Sequence, residues 1–120
     1  MNVLIVESCA DLATLWSRHL MRQGATVEIA DHQEAALEML ESRSFDIIVL
    51  DLVLRDGGAL ALADFASYRW PNTRVIFVTN THFFSDGSIF THCANACAYL
   101  AVDTAPEDIA AMVEHYGRPV

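Results

Sequence analysis

The sequence is short of positive charge and of long apolar runs. Seven lysine and arginine residues stand against sixteen aspartate and glutamate residues, for a formal net charge of −9. Such a surface repels phosphate backbones, so we expect no direct binding to nucleic acid. The longest apolar stretches have the length of strands and are interrupted by charges, and the N-terminus lacks the basic start of a signal peptide. We therefore expect a cytoplasmic protein without a membrane-spanning segment.

Cysteine is also scarce. The three cysteines are an odd number and form no C-x-x-C pair, so a disulfide framework is not expected and a reducing compartment fits. Cys93 and Cys97 stand four residues apart, but no second pair of soft ligands completes a metal site, and core packing is the simpler interpretation. The 120 residues, 53% of them hydrophobic, are enough for one domain, 1–120, with a buried core.

Strand-like apolar runs alternate with amphipathic helical runs five times. This alternation is typical of a parallel sheet with helices on both faces. The predicted strands are about 2–6, 26–30, 46–50, 74–79 and 98–102. The first helix carries an apolar stripe at helical spacing, formed by Leu12, Leu15, Trp16, His19 and Leu20.

Several residue patterns predict where the helices begin and end. Gly24 stands where a C-terminal cap of the first helix belongs. Asp31 with Glu34, and Thr104 with Glu107, have the form of capping boxes that open the second and fifth helices. A third helix is predicted over 59–68. The fourth is predicted either from about 85 or over about 88–95 only, since an Asp-Gly-Ser run interrupts its pattern.

Two predicted strands end on acids. Glu7 follows the first strand, and Asp51 follows an apolar run that reads as a strand buried on both faces. The carboxyl ends of parallel strands form the edge where open α/β sheets bind ligands. Two carboxylates on neighbouring strands predict a cation site or a raised pKa.

These positions resemble the receiver domain of two-component response regulators, the CheY-like family, over essentially the whole chain. The resemblance implies a flavodoxin-like (βα)5 fold with strand order 2-1-3-4-5. It also implies that Asp51 is the phosphoacceptor and that Thr79 and Tyr99 are switch residues. A Mg²⁺ site would use Glu7, Asp51 and the backbone carbonyl of Val53.

The sequence departs from the family pattern at chemically demanding positions. Ser8 replaces the second acid, and Val102 stands where the family has a lysine. A missing cation 4 Å from the phosphate removes up to about 4 kcal/mol at an effective dielectric constant of 20. Mg²⁺ binding is expected to be weak, because a hydroxyl is a poorer ligand than a carboxylate. Arg55 replaces a proline and is either a phosphate contact or an exposed turn residue.

Two functions of the same fold follow, neither of them enzymatic. The first is an atypical receiver that acts through protein–protein interaction with weak or no phosphorylation at Asp51. The alternative is a conventional receiver that a histidine kinase or phosphotransfer partner phosphorylates. A downstream effector is a further expected partner, and a homodimer would use the fourth helix, fifth strand and fifth helix. A flavin carrier or small phosphatase is disfavoured, because the turn after strand one has no glycine and Leu15 stands where a phosphatase needs arginine after Cys9.

Overall fold

The computed structural model describes residues 1–54, 57–79 and 95–117. Within these ranges, five strands and four helices follow one another in the order β1 (Asn2–Val6), α1 (Ala10–Arg22), β2 (Thr26–Ala30), α2 (Gln33–Ser42), β3 (Ile47–Asp51), α3 (Ala59–Arg69), β4 (Arg74–Thr79), β5 (Ala96–Ala101) and α4 (Pro106–Gly117). The helix predicted between 85 and 95 lies outside the described residues, so α4 is the fifth helix of the sequence prediction.

The strands form one parallel sheet in the order β2-β1-β3-β4-β5. This confirms the predicted flavodoxin-like α/β architecture. The order reverses at β1, which pairs with β2 on one side and with β3 on the other. Loops after β1 and β3 therefore leave in opposite directions and open a crevice at the carboxyl edge of the sheet.

The sheet is buried on both faces. One core lies between the sheet and helices α2 and α3, and its fully buried strand residues include Leu4, Leu50 and Phe77. The other lies between the sheet and helices α1 and α4, with Ile5 and Val49 among its strand residues. Successive side chains of a strand point to opposite faces of the sheet. A strand that is apolar at every position therefore contributes side chains to both cores.

Helix α1 is rotated relative to the predicted stripe. Its buried residues are Ala13, Trp16, Ser17 and Leu20, whereas Leu15 is 38% exposed. The small side chains of Ala13 and Ser17 thus lie on the buried side of α1, together with Trp16 and Leu20. Counting apolar residues alone placed Leu15 inward, because it gave no weight to small residues at the contact.

Both predicted capping boxes are wrong in position. The N-cap of α2 is His32, and no side chain caps it; the Asp31 carboxylate instead lies 2.6 Å from Nδ1 of His32. The first turn of α4 closes on the carbonyl of Ala105, which accepts a bond from the N–H of Ile109. Ala105 precedes a proline, and that favours the extended backbone an N-cap adopts. The prediction that Gly24 ends the first helix is correct, since Gly24 lies just beyond α1 with a φ of +90°.

None of the helices in the described ranges has both the length and the apolar character needed to cross a membrane.

We expect Leu4→Ala to lower the free energy of unfolding by about 2–5 kcal/mol, because Leu4 is fully buried in β1 and its truncation leaves a cavity. Leu60→Ala is the matched control, since Leu60 is 42% exposed on α3 and should change stability by about 0.5 kcal/mol or less. Urea denaturation of both variants checks this. Equal losses would contradict the assignment of Leu4 to the core.

Candidate functional site

The acids predicted to meet are brought together at the carboxyl edge of the sheet. The β1–β3 register pairs Val6 with Leu50, so Glu7 and Asp51 occupy the next position on neighbouring strands. Their side chains are 3% and 8% exposed, respectively, and the two carboxyl groups are hydrogen-bonded to each other. Two carboxylates cannot share a hydrogen bond unless one of them carries a proton.

The proton belongs mainly to Glu7. Burial, the hydrogen bond to Asp51 and the negative charge of Asp51 raise the pKa of Glu7 to about 8, while the N–H of Cys9, 3.1 Å from Oε1, acts in the opposite direction. Glu7 is therefore largely protonated at neutral pH. Its other oxygen, Oε2, is buried and accepts no hydrogen bond from any described group.

Backbone and hydroxyl groups around the pair are already engaged. The N–H of Val53 donates to Oδ1 of Asp51 at 2.9 Å, which holds the loop after β3 against the carboxylate. The Ser8 hydroxyl donates to the carbonyl of Asp31 at 3.0 Å, so it ties the loop after β1 to the end of β2. The Ser8 hydroxyl therefore donates its hydrogen bond within that loop contact, and it adds no negative charge to the site.

The predicted switch residues lie at different distances from the acid pair along the strands. Thr79 is buried at the end of β4, and because Asp51 pairs with Val78, Thr79 stands at the same edge of the sheet. Tyr99 pairs with Phe77 further down, with ring centroids 6.4 Å apart in an edge-to-face arrangement. Thr79 is therefore placed near the site, whereas Tyr99 packs beside the core of α2 and α3.

No ammonium group takes the place of the family lysine. Val102 is half-buried, packs against the core of α1 and α4, and donates its N–H to the carbonyl of Thr79 at 2.9 Å. All seven basic residues of the chain are arginines, so no lysine elsewhere in the chain can substitute. Arg55, the predicted phosphate contact, lies outside the described residues.

The donor set fits a divalent cation only in part. Asp51, and Glu7 once it has lost its proton, would supply hard carboxylate oxygens to a cation, and Oε2 of Glu7 accepts no hydrogen bond from a described group. Across the described ranges, however, no group of three or more histidine, cysteine, aspartate and glutamate side chains converges. Mg²⁺ would be held by these two carboxyls, with the carbonyl of Val53 as the predicted third ligand.

Sequence reasoning missed a cavity beside the pair. It has a volume of about 360 Å³ and is lined by Glu7, Ala10, Ala13, Thr14, Ile29, Ala30, Asp31 and Ala35. Four of these residues are alanines, whose short side chains leave the space open. The alanines are visible in the sequence, but only the β1–β2 pairing shows that they face one another.

The fold and this site define a receiver-type signalling domain, and the comparisons agree. The family model of the response regulator receiver domain matches residues 3–114, so the chain belongs to that family. Receiver domains are generally non-enzymatic signalling domains that bind Mg²⁺ at their phosphorylation site and interact with signalling partners. No curated protein matched the chain.

Solved structures share the fold across nearly the whole chain. A CheY-like receiver domain protein from Methanospirillum hungatei is 23% identical with a TM-score of 0.88, covering 97% of this chain and 92% of its own. The N-terminal domain of a response regulator/sensory box/GGDEF three-domain protein from Carboxydothermus hydrogenoformans is 26% identical, with a TM-score of 0.83 and coverages of 98% and 94%. A response regulator from Thermotoga maritima in complex with magnesium and beryllofluoride is 17% identical, with a TM-score of 0.82 and coverages of 96% and 97%.

The raised pKa of Glu7 predicts a characteristic pH dependence of stability. Between pH 4.5 and about 8 the folded chain keeps a proton that the unfolded chain has lost. The free energy of unfolding should therefore fall as pH rises through this window, by up to about 1.4 kcal/mol per pH unit, and should level off above it. Glu7→Gln removes the titration, so the variant should match the wild type near pH 5 and exceed it in stability at pH 8.

Denaturation at several pH values measures the difference between the two proteins. Glu41→Gln, which neutralises an exposed carboxylate on α2, is the control and should give a curve parallel to that of the wild type. A Glu7→Gln curve parallel to the wild type would contradict a proton on Glu7.

Proposed function

We propose that this receiver domain acts mainly through protein–protein interaction, with weak or no phosphorylation at Asp51. The observation that carries the proposal is the apolar environment where the family has its lysine. The half-buried Val102 packs against the core of α1 and α4 there, and the chain contains no lysine. A phosphoryl group on Asp51 would therefore lack its usual cation.

The chemistry of the acid pair points the same way. In phosphoryl transfer an oxygen of the Asp51 carboxylate would bond to phosphorus while the bond from phosphorus to the donor's leaving group breaks. Negative charge on the equatorial oxygens must then be neutralised. Glu7 and Asp51 are both acids, and among the described residues the N–H of Val53 donates to Asp51.

A metal ion is a further source of positive charge. When bound, Mg²⁺ supplies charge neutralisation and orientation of the phosphoryl oxygens. Glu7 must first release its proton and break its hydrogen bond to Asp51. Ser8 adds no carboxylate, so this chain's own residues give the cation a weaker hold than an acidic pair after β1 would give.

The alternative is a conventional receiver switched by phosphorylation of Asp51. It is favoured by the placement of Thr79, a buried hydroxyl at the same edge of the sheet as Asp51. In this case a histidine kinase or phosphotransfer protein is the donor, Arg55 supplies the missing cation, and Thr79 and Tyr99 relay the change. In both functions the partner is a signalling protein, and a homodimer would use β5, α4 and the segment predicted as the fourth helix.

Phosphorylation of the isolated protein discriminates between the two functions. With Mg²⁺ and a small-molecule phosphodonor, we expect less than a tenth of the chain to gain the mass of a phosphoryl group, measured by intact mass spectrometry. Asp51→Asn is the control that identifies the site. Extensive labelling that disappears in Asp51→Asn would favour the conventional receiver.

Restoring the missing groups should restore the chemistry. The double variant Ser8→Asp with Val102→Lys returns a carboxylate and a cation to the site, and we expect its phosphorylation rate to rise at least tenfold, equivalent to about 1.4 kcal/mol of transition-state stabilisation. Met21→Lys, which adds a cation at an exposed position in the last turn of α1 and away from the acid pair, is the control for added charge. An unchanged rate in the double variant would show that some other feature limits the reaction.

Mg²⁺ affinity is a second, independent measurement. We expect a millimolar or weaker dissociation constant for the wild type, followed by titration of the amide resonances of residues 7, 8 and 51–53. Ser8→Asp should bind the ion at least tenfold more tightly, because it adds a hard ligand. A micromolar constant for the wild type would contradict the weak-site proposal.

A further inference from the structure

A cluster of aromatic and arginine side chains lies at the opposite edge of the sheet from Asp51. The aromatic-basic surface, as we name it, consists of Arg43, Phe45, Tyr68, Arg69 and Trp70. Tyr68 and Arg69 lie in the last turn of α3 and Trp70 is its C-cap, whereas Arg43 and Phe45 lie between α2 and β3. None of them has a role in the proposed chemistry of the acid pair.

The centre of this surface is held rigidly. The indole Nε1 of Trp70 donates to the carbonyl of Leu40 at 2.7 Å, which fixes the ring. The guanidinium carbon of Arg69 lies 3.9 Å above the centre of that ring, in a cation–π contact. Arg69 forms no ion pair with any residue of the described ranges, so the edge of its guanidinium remains available to an anion.

The periphery of the surface adds a second arginine that stacks on an aromatic ring, Arg43 on Phe45, and a largely exposed aromatic side chain, Tyr68. The guanidinium carbon of Arg43 lies 4.7 Å from the centre of the Phe45 ring, and its Nη1 is 3.4 Å from Oε1 of Glu28. Tyr68 is 88% exposed, the largest exposed fraction among the big hydrophobic side chains described. Tyrosine, tryptophan and arginine are the residues most enriched at the energetic centres of protein interfaces.

A cavity of about 210 Å³ opens beside Trp70. It is lined by Ser44, Phe45, Asp46, Trp70, Pro71, Asn72 and Thr73. Its acid is already engaged, since Oδ2 of Asp46 accepts the N–H of Asn2 at 2.6 Å. The Thr73 hydroxyl likewise donates to the carbonyl of Phe45. Since Phe45 is only 3% exposed, Trp70 and Pro71 form the apolar walls that remain available to a side chain of a partner.

Charge along the molecule is distributed unequally. Four arginines lie at this edge, in the last turns of helices, at the C-cap of α2 and at the start of β4: Arg22, Arg43, Arg69 and Arg74. The acids Glu41, Asp46 and Glu114 lie at the same edge, so positive and negative charges are nearly balanced there. Acids cluster at the opposite edge, around Glu7, Asp31, Asp51, Asp103 and Glu107. In a chain with a net charge of −9, the aromatic-basic surface is thus less negative than the carboxyl edge of the sheet and better suited than that edge to a negative partner.

We propose that the aromatic-basic surface binds an acidic segment of a partner protein. A carboxylate of that segment pairs with the free edge of the Arg69 guanidinium, which the Trp70 ring holds flat for two-pronged hydrogen bonding. A neighbouring apolar side chain of the segment enters the cavity beside Trp70. Tyr68 packs over the segment from α3.

Synthetic peptides of alternating glutamate and leucine test this proposal. Binding is followed by NMR at the indole N–H of Trp70, assigned by its loss in Trp70→Phe, with the buried Trp16 indole as an internal reference. We expect a saturable shift at Trp70 and none at Trp16. Peptides of glutamine and leucine, peptides of lysine and leucine, and a single-stranded oligonucleotide are run in parallel and should bind at least fivefold more weakly.

Surface variants locate the contact. Arg69→Gln and Tyr68→Ser should each weaken binding of the acidic peptide at least fivefold, whereas Arg18→Gln, which removes an exposed arginine on α1, should change it by less than twofold. The Trp16 resonance reports that each variant is folded. An equal loss in Arg18→Gln, equal binding of the lysine peptide or the oligonucleotide, or no shift at Trp70 would each overturn the proposal.

Discussion

The parallel pairing of β1 with β3 is the constraint on which the candidate site depends. It sets Glu7 and Asp51 side by side at a buried edge, where two negative charges cannot both be left uncompensated. In this chain a proton on Glu7 removes one of the two charges, since burial and the neighbouring Asp51 raise the pKa of Glu7 to about 8. Proton and cation therefore compete for one place, and signalling by phosphate would have to begin by displacing the proton.

The fold was predictable because its signals are redundant. Apolar runs such as that of β3 require burial on both faces, and only a covered parallel sheet provides it. Helix ends were harder, since a capping pattern is local while the actual cap depends on where the chain leaves the sheet. Asp31 illustrates this, because its carboxylate contacts His32 and the helix begins two residues after it, at Gln33.

The sequence predicts which residues form the candidate site better than it predicts the hydrogen bonds and packing contacts of those residues. The positions of Glu7, Asp51 and Thr79 at the ends of predicted strands indicate that they lie together, because parallel strands place their last residues at one edge of the sheet. No sequence pattern reports that the Ser8 hydroxyl contacts the end of β2, or that α1 turns Leu15 outward. Those outcomes depend on side-chain volumes and on contacts between loops distant in sequence.

Among the described residues, acids crowd the carboxyl edge of the sheet while arginines balance the acids at the other edge, and this has a consequence for diffusion. Helix C-termini favour cations, and here they collect Arg22 and Arg69 at one end of the molecule. The protein thus carries a permanent electric dipole roughly parallel to its strands. The electric field of a charged partner exerts a torque on this dipole and orients the protein before contact. Added salt screens the field, so it would reduce this orientation and slow productive encounters.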